Sequence, residues 1–206
     1  MKRLLLSLSL VTAAGLLWSQ NGNVGQPAGP VGAQAVGRIV LDADGNGQVL
    51  CYFTVFAGLN NLFAGPRSEA TARFTARSTK FKVDTVANGP AVHFRTIPAE
   101  GDAILVNFYY DVTPDQDYNQ PDTFTDGQLI GTWRWSSSLG TLSPAGVTPS
   151  IGAVDLVSSN VVFHDGAPFN MRSKGTAGTA FFNIVAPPVL GPNLSLPFSA
   201  AFVVAK

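Results

Sequence analysis

Apolar and polar residues alternate with a period of two over most of this chain. In 69–78 the apolar set Ala70, Ala72, Phe74 and Ala76 interleaves with Thr71, Arg73, Thr75 and Arg77. Ile104, Val106, Phe108 and Tyr110 share one face of 103–112, and Leu129, Gly131, Trp133 and Trp135 one face of 128–137. Phe198, Ala200, Phe202 and Val204 repeat the pattern near the end of the chain. Successive side chains of a strand point to opposite faces, so such alternation marks half-buried strands. Strands are expected at 36–41, 48–56, 69–78, 79–86, 90–97, 103–112, 128–137, 151–163, 176–186 and 196–205. Gly, Pro, Asn and Asp clusters break the chain between them. After residue 20 no segment carries a 3.6-residue pattern. Many short strands with turn signals between them predict an all-β fold, an antiparallel β-sandwich or β-barrel of about ten strands.

The beginning of the chain is of another kind. Met1-Lys2-Arg3 precede an apolar run from Leu4 to Trp18, followed by Ser19-Gln20. A short basic start, an apolar stretch and small residues behind it predict a secretory signal peptide over 1–20. Cleavage is expected between residues 15 and 20, after Gly15 in Ala13-Ala14-Gly15 or after Ser19. The run is short for a spanning helix, which needs ~20 apolar residues. The protein is therefore expected to be secreted or periplasmic, with no transmembrane segment in the mature chain. Residues 21–35 are uncharged and rich in Gly, Pro and Ala, and read as a flexible lead-in to a single all-β domain over 36–206. Exported alternating strands also describe a membrane barrel. Against that, the chain ends in Ala205-Lys206 and shows no aromatic girdles.

Charge narrows the partners. Only 13% of residues are charged, and without Lys2 and Arg3 eleven basic residues face thirteen acidic ones. Nucleic acid is not an expected partner, because phosphate binding needs a basic surface. The single cysteine, Cys51, lies in the apolar run Val49–Phe56. No internal disulfide is available, so the core must hold the domain, and Cys51 reads as buried and inert or as a free reactive thiol.

Several clusters carry candidate chemistry. Asp42-Ala43-Asp44-Gly45-Asn46-Gly47 matches the first half of a calcium loop, with Asp42, Asp44 and Asn46 as oxygen ligands. The match stops at Phe53, where a bidentate Glu would stand, and the same residues suit a hairpin turn. The loop 111–126 holds five Asp and no basic residue. Asp115 and Asp117 repeat the alternating acidic spacing, as a second possible Ca2+ site or as a solvated loop. The stretch 67–95 is basic, with Arg67, Arg73, Arg77, Lys80, Lys82 and Arg95. It pairs with the acidic loop, meets an anionic surface or is simply solvated.

Trp133 and Trp135 lie two residues apart on one face; exposed, they would stack on a flat ligand such as a sugar, and buried they would be core. Tyr109 and Tyr118 would be their companions on a binding face. No HExxH, CxxC, GxSxG or phosphate-cradling loop occurs. His164 and Asp165 are adjacent, which on a strand sends them to opposite faces. These features favour an exported non-catalytic domain that binds a carbohydrate, a cell-surface ligand or another partner. The alternatives are a secreted carbohydrate hydrolase using paired carboxylates and a structural protein that assembles through sheet edges.

Overall fold

In the computed structural model, residues 31–89, 91–142, 147–186 and 190–205 are described, and the expected signal peptide lies outside them. Twelve strands form: β1 Val31–Leu41, β2 Gly47–Phe56, β3 Phe74–Ser78, β4 Phe81–Asn88, β5 Ala91–Pro98, β6 Ile104–Tyr110, β7 Gln128–Leu142, β8 Val147–Ser159, β9 Val162–His164, β10 Ala167–Phe169, β11 Ala177–Val185 and β12 Ser195–Ala205. Between the two all-β architectures expected, the chain adopts the barrel. β1, β2, β3, β6, β7, β8, β11 and β12 follow one another around a closed antiparallel ring of eight, and β12 pairs back onto β1. Closure gives each ring strand a neighbour on both sides, which removes the open edges of a sandwich.

Two hairpins are inserted into this meander. β4–β5 stands between β3 and β6 in the sequence, and β9–β10 between β8 and β11. β7 is 15 residues long and takes two partners in succession: Gln128–Trp135 pairs with β6, and Leu139–Leu142 pairs with β5. β4 in turn meets the start of β2 at Gly47 opposite Phe81. The barrel therefore has two tiers, one walled by β3 and β6 and the other by β4 and β5. At the end of the first tier the β9–β10 hairpin folds inward. Its Phe169 packs edge-on against Phe56 at 5.6 Å and Phe74 at 5.8 Å, residues at the ends of β2 and β3.

The inward faces of the ring strands are mostly apolar, with Ser138, Thr148 and Ser150 as polar exceptions beside one interior cavity, and the large side chains Phe53, Phe74, Phe81 and Ile104 are at most 1% exposed. That sidedness is opposite to a membrane barrel, whose lumen is polar. No helix among the described residues is long and apolar enough to cross a membrane. On the outer wall Leu139, Ile151 and Phe181 are cross-strand neighbours left 56%, 47% and 44% exposed, so the outside is not uniformly polar.

Several boundaries differ from the pattern-based expectation, among them the start of β8, at Val147 instead of 151. β1 begins at Val31, so 31–35 extend the strand that closes on β12 instead of belonging to a lead-in. The expected strand 69–78 opens with a 3-10 turn, Glu69–Thr71, because Ser68 N–H donates to Thr71 Oγ1 and the chain turns before Phe74. The expected strand 151–163 breaks after Ser159. There Asn160 N–H donates to Ile130 O and its Nδ2 to Leu129 O, which ends the ladder. A tight turn at Asp165-Gly166, with φ of 52° and 76°, then forms the β9–β10 hairpin. Finally β7 runs to Leu142 through Ser136-Ser137-Ser138-Leu139-Gly140. Small residues suit this place: Phe94 packs where a Gly140 side chain would stand, and Ser138 Oγ donates to Ser150 Oγ at 2.9 Å.

Gly37 is the tightest approach in the ring. A Cβ there would overlap the Leu50 carbonyl oxygen and the Cβ of Cys51 across the β1–β2 pair. Gly37→Ala should lower unfolding stability by about 1–3 kcal/mol in a denaturant titration. An unchanged midpoint would mean that β1 and β2 are not held at this separation.

Candidate functional site

Trp133 and Trp135 both point inward from β7 and are 3% exposed. Their shared face is as the alternation predicts, but it is the inner wall of the barrel, so a solvent-facing stacking platform does not form. They border an apolar cavity of about 50 Å³ whose wall also includes Cys51, Phe53, Phe108 and Phe202. A second cavity of about 30 Å³ lies in the other tier, beside Phe81, Phe94 and Ser138. Trp135 and Phe182 border both; their rings lie 5.4 Å apart and form the partition between the tiers. The indole Nε1 atoms of Trp133 and Trp135 are buried and have no hydrogen-bond partner. Each such orphan donor costs about 1–3 kcal/mol. Lys174, partly exposed, borders the first cavity, and its Nζ donates to Ala57 O at 3.2 Å. Burial pushes the Cys51 thiol in the cavity wall up to about 12, which keeps it protonated and inert.

The acidic loop lies on the outside of the same barrel, where β1, β2 and β3 present Arg38, Leu50, Thr75 and Arg77. Phe124, fully buried, seats the loop, and Thr75 Oγ1 donates to its carbonyl at 2.9 Å. Arg77 pairs with Asp122 at 2.6 Å and Arg73 donates to Val112 O at 3.1 Å, so part of the basic stretch does meet the acidic loop. Tyr118 is clamped between Phe124, 5.0 Å away, and the Arg38 guanidinium, 4.7 Å above its ring. Burial pushes its phenol up. Tyr109 is half-buried on the outer wall, one residue away from the inward Phe108 and Tyr110. The four aromatic candidates are thus not brought together: the two Trp lie inside and the two Tyr outside.

The acidic residues sort themselves in the same way. Asp117 accepts from Asn119 N and Nδ2 at 2.8 and 2.9 Å and from Gln120 Nε2, the pattern of a local turn. Asp115 instead joins Asp111 and Asp126, with carboxylate oxygens of all three within 4.8 Å of one another. The Asp126 carboxyl is raised above its ordinary value by burial and by the charges of Asp115 and Asp111. Gln116, 1% exposed, donates from Nε2 to Asp111 Oδ2 at 3.1 Å, and its Oε1 is buried without a partner. Neither Asp111 nor Asp126 stood out by spacing. The loop's lack of any basic residue was the signal that could have pointed to them.

Asp42, Asp44 and Asn46 make the β1–β2 turn. Asp42 Oδ1 accepts from Asp44 N and Asn46 N at 3.0 and 2.9 Å, and Oδ2 is paired with Lys80 Nζ at 2.7 Å. Asn46 Nδ2 lies 3.4 Å from both Asp42 oxygens, so the turn is held by its own hydrogen bonds and by Lys80. His164 is a packing residue of the end hairpin. Its Nε2–H donates to Asn60 O at 2.6 Å, and its Nδ1 lies 3.2 Å from the Tyr110 hydroxyl. Asp165 comes within 3.6 Å of it only because the turn at Asp165 bends the chain back, and its Oδ2 accepts from Asn61 Nδ2.

No protein-family model, curated protein or solved structure matches this chain.

Two outcomes follow from the charges. The hydrogen bond from Lys80 holds the Asp42 carboxyl down to about 2, below its ordinary 3.8. Its contribution is complete above 3.8 and is lost as pH falls through 2. Lys80→Ala should move the Asp42 titration back toward 3.8 when followed by NMR, and an unmoved midpoint would deny the pair. At Asp126 the sign is reversed: ionisation is unfavourable, so its cost appears as pH rises through the carboxylate range. In metal-free buffer Asp126→Asn should be more stable than the parent at neutral pH and equal to it in acid. A less stable variant at neutral pH would show that like-charge crowding is not what Asp126 experiences.

Proposed function

We propose that this protein is an exported, non-catalytic barrel that binds a small molecule in its interior. The molecule has an apolar body and an oxygen acceptor. One observation carries this reading: two indole N–H donors, Trp133 and Trp135, are buried without partners beside an apolar cavity. An eight-stranded barrel has a bore that its own side chains fill or that holds one small ligand. An acceptor oxygen delivered into that bore would satisfy donors that the protein itself leaves unmade. The cavity of about 50 Å³ is smaller than a six-carbon chain, so a ligand would enter as side chains of its wall, Trp135 and Phe182 among them, move apart. The hydrolase alternative would draw on Asp111, Asp115 and Asp126, none of which borders either interior cavity.

Hexanoate, 1-hexanol and n-hexane test this with equal chain lengths. The two oxygen-bearing probes should shift both indole N–H resonances and raise the melting temperature. Hexane should bind at least about tenfold more weakly, a difference of about 1.4 kcal/mol. Ala33→Leu, which places volume at the cavity wall, should abolish the shifts while the fold persists. Equal binding of hexane, or no indole shift with any probe, would contradict the assignment.

A further inference from the structure

We propose that Asp111, Asp115 and Asp126, together with the side-chain oxygen of Gln116, form a calcium site that fastens the 111–127 loop to the outer wall of the barrel. The loop's five aspartates divide cleanly. Asp122 is neutralised by Arg77, and Asp117 is spent on Asn119 and Gln120. The other three crowd together, and among the described residues no Lys or Arg forms an ion pair with any of them. Their oxygens are no more than 4.8 Å apart, so one point lies within about 2.8 Å of all three, and small side-chain movements would bring it to calcium–oxygen distance.

The second, independent observation is Gln116. It is 1% exposed, and its Oε1 has no partner, although its amide lies against Asp111 with Nε2 3.1 Å from Oδ2. The amide end that faces Asp111 is Nε2, and Oε1 is bonded to the same carbon. A half-turn of the amide would exchange the two ends and present the oxygen where the nitrogen now stands. A neutral amide oxygen among carboxylates is a ligand set for a hard cation. The absence of His and Cys from the group disfavours zinc, and the irregular loop suits calcium better than the strict octahedron of magnesium.

The consequence is mechanical. The loop is anchored to the barrel by Phe124, by Thr75 and by Arg77. The cation would close its base, where Asp111 follows β6 and Asp126 precedes β7. It would also convert the repulsion within the cluster into attraction. The site lies outside both interior cavities, so it stands or falls apart from the ligand proposed for the bore.

Calorimetric titration of the full chain with calcium chloride tests the site. One ion should bind, with a dissociation constant on the order of 10⁻⁴–10⁻³ M as in extracellular modules, and the melting temperature should rise relative to chelator. Asp115→Asn, an exposed change that leaves the fold intact, and Asp126→Asn should abolish both effects. Asp42→Asn and Asp117→Asn should leave both in place. Gln116→Leu should weaken binding at least about tenfold and Gln116→Glu should restore it, each checked for folding by its melt in chelator. No heat and no melting shift at millimolar calcium would overturn the proposal. Binding that survives Asp115→Asn and Asp126→Asn, or that is lost in Asp42→Asn, would overturn it equally.

Discussion

The rest of the structure depends on the pairing of β12 with β1. Ten residue pairs join these strands, from Val31 opposite Val204 to Val40 opposite Ser195. They turn a meander of neighbouring strands into a ring. Once the ring closes, the inward face of every ring strand looks into one bore, and the packing of that bore decides stability. Phe53, Phe108, Trp133, Trp135, Phe182 and Phe202 meet there, within ring-centroid distances of 5.3 to 6.4 Å. With one free, buried cysteine among the described residues, this packing holds the domain without the disulfides that staple many small domains.

Closure also explains why the insertions sit where they do. A ring of eight has two open ends. The β9–β10 hairpin plugs one with Phe169 and His164, and the β4–β5 hairpin lengthens the wall at the other. The bore is thus subdivided by Trp135 and Phe182 instead of running open from end to end. The acidic loop, outside the same wall, is held by different elements and answers to different chemistry.

Period-two alternation made the all-β class and most strands legible, because a half-buried strand must show it. Closure was not legible: alternation reads the same in a sandwich and in a barrel, and only the register of β1 on β12 separates them. The Ser- and Gly-rich end of β7 was hidden because those residues read as loop, although they are small to admit Phe94 and to bond Ser150. The Asp165-Gly166 turn was a readable hairpin signal, overshadowed by the apolar run before it. At the site, the common face of Trp133 and Trp135 followed from spacing, but which side of the sheet it occupied depended on closure. Asp115 stood out by its spacing. Asp111 and Asp126 did not, because fourteen residues separate them and only the folded loop brings their carboxylates together.

The central claim is that the bore, and not the surface, is where this protein meets its ligand. The most direct measurement is a set of intermolecular nuclear Overhauser contacts between hexanoate and the protein. Contacts from the hexanoate chain to the Trp133 and Trp135 rings, Phe108 and Val204 would place the molecule inside the ring. Contacts confined to Leu139, Ile151 and Phe181, on the outer wall, would contradict the account.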